Sequence, residues 1–364
     1  MRGEDRYEPS DPPPADDPST ALNSSDSDWS SADADSGPGR YVGRQVDKAY
    51  FRPRPSIYYR DLLLPMAVFA VSFAWATQAE GLVFAVAYVA AVISIHRAGV
   101  FGHEVAHRYD TRNLWGFNLL WDLTLGLLIL YPAARFVKPH RIHHSPGTFR
   151  TAADPQYLLL RSDRRLAVFV FVLAPVLMPL VHAFMTVSAS LTGDRVEAAI
   201  ERFANRHGMT TGILLPERHE KRVRWLSRYY MAGWALYVWL APETLGLMYA
   251  VLVGGWVLTT LRIPLEHRME SLLEASDRRD HVLDSFTIAS PFAELLQPLA
   301  LKYHTAHHMY PGVPYHNLAA LHRELMAESA DYRASVVSFW DVVLGRVPEQ
   351  RRSTSRNPNV ERSR

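Results

Sequence analysis

Between Leu166 and Leu191 the chain runs for 26 residues without a charged side chain. A run of that length is suited to a bilayer, whose hydrocarbon core takes about 17–25 helical residues to cross. Shorter uncharged runs recur at Leu62–Thr77 and Gly81–Ile95, parted only by Gln78, Ala79 and Glu80, and again at Tyr229–Ala241 and Thr244–Leu261, parted at Pro242 and Glu243. Backbone polar groups in hydrocarbon must be satisfied within their own segment, so these runs are expected to be helices. The mean hydropathy of −0.10 looks soluble only because polar ends dilute the runs. Their repetition speaks against a soluble helical bundle.

Charge orients the helices. Arg44, Lys48, Arg52, Arg54 and Arg60 precede the first run, and Arg97, Arg108 and Arg112 follow the second, so the positive-inside rule places both flanks in the cytoplasm. Phe117–Tyr131 contains Asp122, with Trp115 and Trp121 beside it, and is expected to lie in the interface. Residues 192–228 carry eight basic and five acidic side chains and should also be cytoplasmic. That requires Leu166–Leu191 to enter and return, with Pro175 and Pro179 making the turn. The expected fold over residues 41–345 is an all-α integral membrane domain with four transmembrane helices in two hairpins. A re-entrant or interfacial helical segment and a cytoplasmic helical cap complete it. Residues 1–40, with ten acidic and three basic side chains and no apolar period, are expected to be a disordered acidic tail. Residues 346–364 are expected to be a basic disordered one. No nucleic-acid partner is expected.

Eight of the sixteen histidines fall into three motifs: "HEVAH" (His103, His107), "HRIHH" (His140, His143, His144) and "HTAHH" (His304, His307, His308). Spacings of three and four place each set on one face of a helix. The chain has no cysteine. Iron–sulfur clusters, thiolate-ligated haem and most structural zinc sites are therefore excluded. Imidazole and oxygen ligands suit Fe, Zn, Cu or Ni. A zinc site uses three or four protein ligands, so this surplus points to two metals, and paired irons suit O2 activation. Glu104, Asp110, Asp122, Asp154 and Glu266 lie near the motifs and are candidates to orient ligand imidazoles through their second nitrogens. His316 and His322 read as residues of a surface helix after the last motif. His96, His182, His207, His219 and His281 belong to no cluster, and His182 is expected to be a hydrogen-bonded buried imidazole.

The three motifs, with apolar pairs before and between them, resemble the membrane fatty acid desaturase superfamily from about Tyr58 to Leu325. "LRIPLEHR" and "PLALKYHTAHHMYPGVPYHNLAALH" are similar to its bacterial acyl-lipid branch. The resemblance implies two iron ions held by His103, His107, His140, His143, His144, His304, His307 and His308, with His267 as an additional ligand. It implies no catalytic residue beyond the metal centre. Pro264 departs from the uninterrupted helix expected before His267. The implied reaction is O2-dependent desaturation of a fatty acyl chain on a membrane lipid or acyl carrier. Two electrons must come from a ferredoxin or cytochrome-type donor, because the chain has neither cysteines for a cluster nor an "HPGG"-like haem segment. Basic residues of 192–228 and Lys302 are candidates to receive that donor.

Hydroxylation or ketolation of a lipid or carotenoid is the alternative on the same centre. "HEVAH" also satisfies the H-E-x-x-H pattern of an intramembrane zinc protease, with Glu104 as general base, but that reading leaves two motifs unexplained. A metal transporter or sensor would carry ionisable residues within its spans, and these spans are almost free of them.

Overall fold

The computed structural model describes residues 46–145, 147–151, 153–156, 165, 168–268, 281–282 and 284–347. The tail expected at 1–40, and all but Arg346 and Val347 of the one expected at 346–364, lie outside the described residues.

Helix α1, Pro55–Ala76, starts on a proline in its first turn, where the missing N–H costs nothing. A short turn leads into α2, Gly81–Arg108. Gly81 itself has φ +58°, a left-handed conformation that glycine adopts without penalty. Tyr58 of α1 hydrogen-bonds Glu104 of α2 and packs edge-on against Phe117, ring centres 5.3 Å apart.

Beside α2 lies α8, Leu245–Glu266. Tyr88 Oη donates to the Ala250 carbonyl at 3.0 Å, and farther along His96 Nδ1 meets Thr259 Oγ1 at 3.3 Å. The contacts advance together, so the two helices run parallel and bring Arg108 and Glu266 to one end. Gly254 allows the close approach: a Cβ there would stand 2.7 Å from Val92 Cγ2.

The segment Phe169–Thr192, α5, corrects the expected re-entrant turn. It is continuous, opening as a π-helical stretch over Phe169–Leu173 and proceeding as α-helix from Ala174 to Thr192. Pro175, where the π-helical stretch gives way to α-helix, and Pro179, inside the α-helix, both lie within it and do not turn the chain back. Among the described residues, four helices are long and apolar enough to cross a membrane: Pro55–Ala76, Gly81–Arg108, Phe169–Thr192 and Pro242–Glu266. The expected number is met with a different member. The uncharged run Tyr229–Ala241 belongs mostly to the second half of α7, Glu217–Leu240, whose first half is highly charged. Between α5 and α7 lies α6, Arg195–Arg206.

The sharp bend lies elsewhere. Helix α3, Trp115–Trp121, continues through a π-helical stretch, Asp122–Gly126, to Ile129. It meets α4, Ala134–His144, at 99°. Leu130 at the corner has φ +54°. A bend exposes carbonyls that apolar surroundings cannot satisfy. His182 Nδ1 donates to the Ile129 carbonyl and Thr186 Oγ1 to that of Leu130, each at 2.9 Å. From α7, Tyr230 Oη and Trp234 Nε1 donate to the carbonyls of Asp122 and Leu127 at 2.9 and 2.8 Å. His182 is thus the hydrogen-bonded buried imidazole its sequence position suggested.

The remaining helices are short: α9, Ala293–Leu296; α10, His304–Met309; and α11, Tyr315–Glu328, among them. A sheet of two strands, β1 (Thr287–Ile288) and parallel β2 (Val336–Val337), is a small addition to the all-α expectation. It has a positional role. The N–H of Phe286 donates to the Glu266 carbonyl at 2.9 Å and that of Ile288 to the Lys302 carbonyl at 2.8 Å, so one strand ties the end of α8 to the start of α10.

Candidate metal centre

The last two turns of α2 present His103 and His107, α4 presents His140, His143 and His144, and α10 presents His304, His307 and His308. His267 follows the last residue of α8 with extended backbone, φ −135° and ψ 153°. Pro264 does not interrupt α8, which runs on to Glu266. All nine histidines expected as ligands meet in one region.

They form two groups. One ring nitrogen each from His103, His107, His140, His144 and His307 lie within 4.8 Å of one another, as do those of His143, His267 and His308. His304 Nε2 adjoins the second group, 2.9 Å from His267 Nε2 and 3.1 Å from His308 Nε2. Hydrogen bonding does not account for this convergence. His107 Nε2 stands 2.8 Å from His140 Nε2 and 3.1 Å from His307 Nε2, which is itself 3.1 Å from His144 Nε2. Each such nitrogen carries one proton or one lone pair, enough for one partner. Nitrogens bound about 2.1 Å from a shared ion, at right angles, stand about 3 Å apart. His103 Nε2 is buried without a hydrogen-bond partner among the described residues. The donor set fits two imidazole-bound metal ions.

Protonation favours the same use. Burial, reinforced by neighbouring imidazoles, holds His304 and His308 well below the usual histidine range, and burial pushes His307 down to about 3. Neutral imidazole is the form that binds metal.

The second nitrogens are held selectively. His143 Nδ1 donates to Asp154 Oδ2 at 2.9 Å, with both side chains buried. The Gln156 amide lies 3.1 Å from His140 Nδ1. His281 Nδ1 lies 2.9 Å from His308 Nδ1, and the His281 ring stacks on Phe149 at 4.0 Å. The sequence singled out neither Gln156 nor His281 for this role. Gln156 follows Asp154 by two positions, which is its only sequence signal, and nothing in the spacing marks His281.

Four of the five candidate carboxylates engage other partners. Glu104 binds Tyr58 and Arg108, the latter at 2.8 Å, and Arg108 continues to the Gly312 carbonyl, bracing α2 against the loop after α10. Asp110 lies among His219, Arg218 and Arg141, Asp122 pairs with Arg222 and accepts the Ala133 N–H, and Glu266 pairs with Arg262. Of the five, Asp154 has a clustered imidazole as its hydrogen-bond partner. His316 accepts the Arg54 N–H at 3.1 Å and His322 meets Tyr332 Oη at 2.8 Å, both apart from the two groups.

Comparison with known proteins agrees with this arrangement. The family model for fatty acid desaturases matches residues 79–340. A ceramide hydroxylase from Caulobacter vibrioides (strain NA1000 / CB15N) is 27% identical over 331 residues, covering 84% of this chain and 92% of that protein.

Proposed function

This chain belongs to the fatty acid desaturase family, and from that premise we propose that it is a multi-pass membrane oxidoreductase that hydroxylates a ceramide-class lipid at a di-iron centre. The observation that carries the reading is the convergence of nine imidazoles in two adjoining groups. His103, His107, His140, His144 and His307 would hold one iron, and His143, His267, His304 and His308 the other. Once bound, the irons supply the reduction of O2 and the oxidising power needed for an unactivated C–H bond. In balance, R–H, O2, two electrons and two protons give R–OH and water. Desaturation takes the same inputs and gives a carbon–carbon double bond and two waters.

The chain's own contribution is positional. Three ligand-bearing helices and the extended residue His267 are fixed by buried contacts, which set where the imidazoles converge. Asp154 holds His143 in the tautomer whose Nε2 is free to bind, and burial keeps bulk water from the oxidising site. Glu104, committed to Tyr58 and Arg108, is not placed as a protease base would be. Similarity to a ceramide hydroxylase along most of both chains favours hydroxylation, while the family description favours desaturation of a fatty acyl chain as the second reading.

Arg108 and Arg112 beside the metal-bearing end of α2, and the basic excess of residues 192–228, support a cytoplasmic site. The electrons come from a separate ferredoxin or cytochrome-type carrier, since the chain has no cysteine to hold a cluster of its own. Mass spectrometry of lipids from a host expressing the protein, beside a His307→Ala control, tests the reaction. Ceramides gaining one oxygen atom are expected. Acyl chains losing two hydrogen atoms would move the assignment to desaturation, and an unchanged lipid profile with reduced carrier present would overturn both.

A further inference from the structure

Just beyond the last turn of α2, the side chains of Tyr109, Arg112 and Trp115 face Arg218, His219 and Arg222 from the start of α7 across an open recess of about 410 Å³. One carboxylate, Asp110, lines it, and a second, Asp122, is buried behind Arg222. Asp110 lies 3.5 Å from Arg218, 3.8 Å from Arg141 and 3.4 Å from His219, and Asp122 lies 2.8 Å from Arg222. Three arginines and one carboxylate line the recess, leaving it cationic.

Its floor is the ring of Tyr109, a residue only 4% exposed. Its ring is held between the Arg222 guanidinium, 4.9 Å from the ring centre, and the His219 ring at 5.0 Å. Guanidinium groups gathered around an open recess suit an anion with several acceptor oxygens. The rim indicates the source. Trp115 is 61% exposed at the start of α3, beside Tyr59 of α1 through Gly116 and Phe117, and exposed tryptophan near the start of a membrane helix suits headgroup level. Basic pockets between membrane helices bind anionic headgroups.

We propose that this recess binds the phosphate of an anionic membrane phospholipid. The inference stands apart from the reaction assigned above. It nonetheless touches the metal centre: Tyr109 follows His107 by two residues, and Asp110 pairs with Arg141, which lies between His140 and His143. A bound headgroup would brace both motifs from outside.

The test uses the full chain, metal-loaded, in nanodiscs of phosphatidylcholine with or without phosphatidylglycerol, and counts retained lipid by native mass spectrometry. Wild type should retain phosphatidylglycerol selectively. At about 1 kcal/mol per arginine near a membrane surface, and about 1.4 kcal/mol per tenfold, the Arg112→Gln/Arg218→Gln double variant should retain it about 30-fold more weakly. Metal content equal to wild type shows that the double variant, changed only at exposed positions, is folded. Unchanged lipid selectivity in the folded variant sinks the proposal. So does inorganic phosphate, titrated against detergent-solubilised protein, binding as tightly as the lipid, because the site would then serve a free anion. Wild-type lipid retention with a raised KM for a reduced electron carrier would assign the recess to the carrier and overturn the lipid reading.

Discussion

Replacing Asp154 by asparagine separates a carboxylate that tunes a metal ligand from one that merely fills space. Asp154 Oδ2 accepts from His143 Nδ1 at 2.9 Å and from the Arg150 N–H at 3.1 Å, while Oδ1 accepts from the Gln156 N–H at 3.0 Å. Asparagine offers one oxygen and one amide nitrogen, so in either orientation a donor meets a donor. Losing a charge-assisted hydrogen bond costs about 1.5–3 kcal/mol, and loss of a ligand's hydrogen-bond partner commonly weakens metal affinity by about 10–100-fold. The loss should fall on one ion, because His143 belongs to the four-histidine group. Competition of the metal-depleted protein with a chromophoric chelator should show two tight sites in wild type. In Asp154→Asn one should remain tight and the other weaken by about 10–100-fold. Two sites of wild-type affinity would show that the contact does not act on the ligand. An equal loss at both would show that the two groups do not act as separate sites.

His267→Ala should lose about one metal equivalent and all lipid oxidation, because it removes one of four nitrogens. His316→Ala and His322→Ala, placed apart from the two groups, should keep both properties, so elemental analysis and lipid profiling of all three separate ligand from bystander. Stripping the metal should lower the thermal midpoint in detergent, since ligand at about 100 times its Kd stabilises by about 2.7 kcal/mol. An unchanged midpoint with verified loss of metal would contradict the proposed linkage. A truncation beginning at Tyr41 should retain metal content and activity, because residues 1–40 have no composition from which to build a core. Loss of activity with full metal content would give that tail a role.

The three histidine clusters were legible because imidazole spacings of three and four fix one helical face whatever surrounds the helix, whereas His267 was named only through the family resemblance. His281 was not, because its approach to His308 depends on how the intervening chain folds back. The helices show a different limit. An uncharged run measures itself and not the helix containing it, so Tyr229–Ala241 looked like a span although α7 begins twelve residues earlier among charges. The two prolines of Leu166–Leu191 suggested a turn, although the helix runs through both, Pro175 near the start of its α-helical part and Pro179 inside it.

The orienting carboxylate could have been narrowed further from sequence. Glu104 has Arg108 four residues on and Glu266 has Arg262 four residues back. Within a helix these spacings pair a carboxylate with its arginine before any imidazole can claim it, and both ion pairs form. Asp154 also has an arginine, Arg150, four residues back. There the chain is a succession of turns with no helical period to join the pair. The Arg150 guanidinium pairs with Asp284 instead, and Asp154 reaches His143. A carboxylate near a histidine motif is therefore a good candidate to orient a ligand where the local chain is not helical, and a poor one where an arginine stands one helical turn away.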